Sequence, residues 1–260
     1  MRHLFLTVVS LVFAVPAVAQ PLPAQQTDFH LFLLIGQSNM AGRGKVSEDD
    51  KRPIPRVLML DKNNRWVAAV DPMHFDKPVA GVGLGRSFAE VIAAANPQVT
   101  VGLIPCAVGG SPIASWEPGG YHKQTKTHPY DDMLPRLHIA LKSGTLKGIL
   151  WHQGESDSTA ELAPLYETKL TKLIARLRSE VGEPEIPFIA GQMGRFPEQP
   201  WHEHRVAVDA VHRSLPTKVK QTAFVPSDGL THKGDRVHFD AASYRELGRR
   251  YAKAYQDLTK

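Results

Sequence analysis

Short apolar runs alternate with helical stretches along almost the whole chain, and that alternation limits the fold more than any other feature. His30 to Ile35, Arg56 to Leu60, Val99 to Pro105, Lys147 to Trp151, Ile186 to Ala190 and Val219 to Val225 are each a few residues long and rich in aliphatic side chains. Runs of this kind read as strands buried on both faces. Between and after them lie Ser87 to Ala95, Asp132 to Lys142, Ala160 to Val181, Trp201 to Ser214 and Ala241 to Leu258. The third of these carries Leu162, Leu165, Tyr166, Leu170, Leu173, Ile174 and Leu177 at three- and four-residue steps, the mark of an amphipathic helix. Asn96-Pro97 and Gly144 supply stops for the first two. The alternation predicts an α/β protein: a central parallel sheet covered on both faces, or three-layer α/β/α sandwich. Ligands of such sheets sit beyond the carboxyl ends of the strands.

A chain of 260 residues can bury a full core without covalent staples. It needs none, since Cys106 is the single cysteine and forms neither an internal disulfide nor a cysteine-rich zinc site. The formal charge is +5, but the basic residues are spread along the sequence rather than gathered in an arm, which argues against a nucleic-acid partner. No metal or other cofactor is expected. His202 with His204, and the pair His122 and His128, invite a metal reading, but the first two stand two apart on a helical stretch and face different directions, and there is no His-Glu-x-x-His.

The N-terminus reads as an export signal. Met1-Arg2-His3 is followed by an apolar run from Leu4 to Val15, and Ala17-Val18-Ala19 is a small-x-small cleavage pattern before Gln20. The run is shorter than the roughly 20 residues that a membrane span needs. The expected organisation is a signal peptide over 1–19, a flexible lead-in over 20–27 and a single domain over 28–260. The mature protein is then periplasmic or secreted and free of the membrane.

Polar and glycine-rich segments fall where strands end. Gly36-Gln37-Ser38-Asn39-Met40 follows the first strand, Ala107-Val108-Gly109-Gly110-Ser111 the third and His152-Gln153-Gly154-Glu155-Ser156-Asp157 the fourth. A serine at a strand-to-helix turn presents its hydroxyl at the sheet rim, either as a nucleophile or as a helix cap. Near the other end stands Asp235-Arg236-Val237-His238. An imidazole three residues after a carboxylate suits a general base with an orienting acid, or else the first turn of the last helix. The order Ser, Asp, His is an allowed triad order.

These blocks carry a resemblance. Gly36-Gln37-Ser38-Asn39-Met40, Ala107-x-Gly109-Gly110-Ser111-x-Ile113-x-x-Trp116, Trp151-His152-Gln153-Gly154-Glu155-Ser156-Asp157 and Asp235-x-x-His238-Phe239 occur in order across nearly the whole mature chain. Together they resemble the sialate O-acetylesterase-like and carbohydrate esterase family six branch of the SGNH (GDSL-type) hydrolases. The resemblance implies a flavodoxin-like α/β/α fold and a serine esterase that removes acetyl groups from sugars. It implies Ser38 as nucleophile and His238 as base. Asp235 matches the usual acidic partner, with Glu155 of the Gln-Gly-Glu block as the other candidate. The implied oxyanion donors are the N–H of Ser38, the N–H of Gly109 or Gly110, and a side chain. The wider superfamily has an asparagine where Ser156 stands, so Gln153 is the expected substitute. It also has an aspartate where Gln37 stands, and this branch shares both departures.

The substrate is then an acetylated carbohydrate: acetylated xylan, acetylated sialic acid or a related glycan. Trp116, Trp151, Tyr121 and Tyr130 either line its subsites, by their amphipathic character, or pack in core and loops, and Arg43 either meets a sugar carboxylate bidentately or stands as a solvated loop arginine. The other reading is a catalytically inactive carbohydrate-binding protein on the same fold. Ser38, Asp235, His238, Glu155 and Gln153 occurring together speak against it.

Overall fold

The computed structural model describes residues 22–260. The expected signal peptide over 1–19 lies outside them. Seven strands form one sheet: β1 (Phe29–Gly36), β2 (Val57–Leu60), β3 (Trp66–Ala68), β4 (Thr100–Pro105), β5 (Thr145–His152), β6 (Phe188–Gly191) and β7 (Thr222–Val225). Their order is β3-β2-β4-β1-β5-β6-β7. All pairings are parallel except β2 with β3, a short antiparallel edge closed over a turn in which Asp61 caps the N–H groups of Asn63 and Arg65.

The strands alternate between two apolar layers, as a sheet covered on both faces must. On β1, Leu31, Leu33 and Ile35 face one core, with Leu137, Leu170, Leu173 and Leu215. Those come from α3 (Pro129–Leu141), α4 (Tyr166–Val181) and α5 (Glu203–Lys218). Phe32 and Leu34 face the other core, with Phe88, Tyr244, Leu247 and Tyr251. Those come from α2 (Gly85–Ala95) and α6 (Ala241–Leu258). The three layers predicted from sequence are present.

Several boundaries differ from the sequence expectation. α4 starts at Tyr166 rather than Ala160, because Pro164 sits in a separate turn of 3-10 helix, Ala163–Leu165. α3 starts earlier, with Pro129 at its first position, where a missing N–H costs nothing. α5 runs on through Pro216 to Lys218. The lead-in ends in a 3-10 turn at Gln26–Asp28, where the Gln26 amide donates to the Lys142 carbonyl at 2.7 Å.

The chain starts at the middle of the sheet. It builds β2, β3 and β4 on one side of β1, then crosses to build β5, β6 and β7 on the other. The ends of β4, β1 and β5 therefore lie side by side at the crossing point, where parallel sheets open a crevice. Among the described residues, no helix is long and apolar enough to cross a membrane.

Candidate active site

Three of the four blocks singled out in the sequence follow those strand ends, and the fourth, Asp235 to Phe239, lies between β7 and α6. Ser38 opens α1 (Ser38–Ala41), and the turn before it is held by Gln37 N donating to the His152 carbonyl at 2.9 Å. Its Oγ lies 3.0 Å from His238 Nε2, and His238 Nδ1 lies 2.7 Å from Asp235 Oδ2. Serine, imidazole and carboxylate thus form one hydrogen-bonded row from residues 200 apart in sequence.

The loop before α6 holds the imidazole. Lys233 N donates to the His238 carbonyl at 3.0 Å and Asp240 N to the Thr231 carbonyl at 3.1 Å. Asp240, not Asp235, caps α6, accepting from Ser243 N at 2.8 Å. Asp235 Oδ1 takes the N–H groups of Val237 (3.0 Å) and His238 (2.8 Å). That wrap puts Arg236 at φ 59°, the left-handed region, which costs an L-residue about 1–2 kcal/mol. Partial burial works to raise the Asp235 pKa, but the His238 N–H, the imidazole, the Val237 N–H and Lys233 outweigh it and hold the carboxyl well below its ordinary value. An ionised Asp235 keeps the imidazole proton on Nδ1 and leaves Nε2 to accept from the serine.

Glu155 does not reach the imidazole. Its Oε1 accepts from Asn39 Nδ2 at 2.7 Å, and its buried Oε2 has no partner. Asn39 also donates to the Val237 carbonyl at 3.1 Å and accepts from the Tyr244 hydroxyl at 2.7 Å. This wholly buried residue, next to the serine, ties the nucleophile turn to the histidine loop. Sequence reasoning passed over it, although it stands inside the quoted motif.

The expected oxyanion donors are narrowed. Val108 to Ser111 is a β-turn, with Ser111 N donating to the Val108 carbonyl at 3.1 Å and Gly110 at φ +86°, which favours glycine. Gly109 N is engaged, donating to Asp76 Oδ2 at 2.8 Å. Among the described residues nothing accepts from the N–H of Gly110 or of Ser38. Gln153 is not the free donor expected. Its amide Nε2 bonds Gln37 Oε1 (3.1 Å), the Ser111 carbonyl (3.2 Å) and Asp157, and Tyr166 donates to its Oε1 at 2.8 Å. A fully buried amide satisfied on every side is a brace for the floor of the site. Behind it the burial of His152 and His212 lowers their pKa values to about 4 and about 3, so both are neutral.

The expected sugar contacts are also corrected. Trp116 and Trp151 are wholly buried; their indole N–H groups bond Ser111 Oγ (3.0 Å) and the Tyr166 hydroxyl (3.2 Å), and their rings pack edge to face at 5.7 Å. Tyr130 is buried too, whereas Tyr121 is exposed. Arg43 is committed inward: Nη2 lies 2.6 Å from Asp76 Oδ2 and Nη1 donates to the Gly42 carbonyl at 2.7 Å. Asp76 had no sequence signal, since it stands in an aperiodic loop. Among the described residues no cluster of three or more His, Cys, Asp or Glu side chains is placed to hold a metal ion.

Residues 28–257 match the family described as carbohydrate esterase, sialic acid-specific acetylesterase. The chain is 32% identical over 262 residues to a probable carbohydrate esterase of Arabidopsis thaliana, covering 92% of this chain and 94% of that one. A crystal structure of an Arabidopsis thaliana protein superposes with a TM-score of 0.77 at 30% identity, over 88% of this chain and 98% of that one. A carbohydrate acetylesterase from Xanthomonas citri is similar in fold, with a TM-score of 0.68 at 20% identity, over 89% of this chain and 56% of that one.

Proposed function

The chain belongs to the carbohydrate esterases of the sialic acid-specific acetylesterase family, and from that premise we propose that it removes O-acetyl groups from carbohydrates through an acetyl-enzyme on Ser38. The observation that carries the reading is the row from Ser38 Oγ through His238 to Asp235, at 3.0 and 2.7 Å.

His238 Nε2 takes the hydroxyl proton as Ser38 Oγ bonds the acetyl carbon. The carbonyl electron pair moves to oxygen, and the oxyanion accepts from the N–H groups of Ser38 and Gly110. Asp235 stabilises the imidazolium that forms. Collapse of the tetrahedral adduct breaks the carbon–oxygen bond to the sugar, whose oxygen leaves with the proton from Nε2. Water then attacks the acetyl-serine, losing its proton to His238. The adduct then expels Ser38 Oγ, which recovers the proton from His238, and acetic acid departs to ionise to acetate and a proton in water.

The substrate class is acetylated xylan, acetylated sialic acid or a related acetylated glycan. Residues 1–19 direct export to the periplasm or beyond, so recovered mature protein should begin at Gln20 by mass. The decisive test is acetate release from p-nitrophenyl acetate by wild type and Ser38→Ala. The variant should lose roughly 10⁴–10⁶ in kcat. Hydrolysis near the wild-type rate in that variant sinks the serine assignment. Glycan binding without acetate release, by wild type, would make the protein a binder instead.

A further inference from the structure

We propose that the buried ion pair Arg43–Asp76 is a positioning device that holds the glycine turn with the Gly110 N–H free for the oxyanion. The proposal rests on the serine esterase reading above. Asp76 Oδ2 accepts two donors, Arg43 Nη2 at 2.6 Å and Gly109 N at 2.8 Å. The two side chains are only 5% and 1% exposed. One oxygen thereby joins three loops: Arg43 follows α1, Asp76 precedes α2, and Gly109 follows β4.

The geometry selects the turn's free donor by elimination. Val108 N donates to the Gly36 carbonyl at 3.0 Å, Gly109 N to Asp76, and Ser111 N to the Val108 carbonyl. The Gly110 carbonyl is held by Ser156 Oγ at 3.0 Å. Only the Gly110 N–H is uncommitted among the turn's N–H groups. The same clamp dictates the residue at 109, since a Cβ there would run into Arg43 Nη2 and Asp76 Oδ2. Arg43 is fixed in turn by the Gly42 carbonyl, next to α1, so the nucleophile turn and the donor turn share one anchor. Stability does not account for such a pair. The desolvation of two buried charges offsets their attraction, and apolar replacement is often neutral or better. What the pair supplies is a fixed orientation beside the reacting serine, where a donor must already point at the developing charge.

An interaction that matters only when the oxyanion forms should change kcat and leave KM alone. The test measures p-nitrophenyl acetate kinetics for Asp76→Ala, Arg43→Ala, the double variant and Asp76→Asn. Each rate is taken per folded molecule by circular dichroism, well below its Tm. The alanine variants should lose about 10²–10³ in kcat, the cost of one oxyanion donor. KM should stay within a few-fold, and the double variant should be little worse than either single one. Asp76→Asn keeps an oxygen for the Gly109 N–H and should recover part of the loss. A folded Asp76→Ala with kcat within threefold of wild type overturns the proposal. So does a loss confined to KM, or an Asp76→Asn as impaired as Asp76→Ala. Ser38→Ala in the same assay separates the outcomes: if it remains active, the esterase reading fails; if it is silent while the clamp variants are unaffected, only the clamp fails.

Discussion

The two carboxylates near the serine differ in what they touch, and that difference decides their roles. Asp235 contacts the imidazole and two backbone N–H groups, whereas Glu155 contacts the Asn39 amide. Asp235→Asn should lower kcat by about 10⁴, because the amide favours the wrong imidazole tautomer. Glu155→Gln keeps an oxygen for Asn39 and should cost far less. Steady-state kinetics on p-nitrophenyl acetate checks both, and a larger loss for Glu155→Gln would reverse the assignment. The row Ser38, His238, Asp235 was legible because a three-residue spacing and a strand-end position are local patterns. Asp76 was not, since its partners are 33 residues away on either side and its own neighbours form no motif. The readings of Arg43 and the tryptophans stayed open for a related reason: residue type announces polarity or amphipathic character, and burial depends on the loops that fold over.

At the scale of elements, the apolar runs and the closing helix came through, and the shortest strand did not. α6 spans the residues its pattern predicts, and all six apolar runs became strands. β3 was invisible: three half-buried residues, paired on one side, have no room for a pattern. The late start of α4 shows a local turn, the 3-10 helix that holds Pro164, overriding periodicity. Leu162 and Leu165 fit the helical spacing, yet Leu165 is 49% exposed and precedes the helix. The element boundary that matters most for the site is the start of α6, three residues beyond His238. Asp240→Ala removes its cap and the hydrogen bond to Thr231. A stability loss of about 1 kcal/mol is expected from the cap, read as a lower urea midpoint. An unchanged midpoint would mean that α6 is held by its packing alone.

Across the whole molecule, buried titratable groups set how stability follows pH. Burial lowers His74 and His152 to about 4 and His212 to about 3, so on acidification from about 6.5 the unfolded chain takes up protons that the folded one refuses. Asp71 and Asp157 act the other way. Burial raises them to about 7 and about 6, so the folded protein keeps two protons that the unfolded chain has lost above about 4. Near pH 5 the three histidines outweigh the two carboxyls by about one proton. Stability should therefore rise with pH by about 1.4 kcal/mol per unit and level off near pH 7. Urea midpoints at pH 5 and 6 test this, and a midpoint that falls as pH rises contradicts it. The layered plan also has a polarity. Ser38 follows the far end of β1, about 25 Å from Phe29 at a strand's rise per residue. α6 leaves the site and runs about 27 Å before it stops, and Thr259 shares a surface groove with Thr145, which bonds Gln26. Head and tail of the domain emerge at one pole and the crevice opens at the other. A bead, a surface or a fused partner joined at either end would leave the crevice turned outward, toward solution.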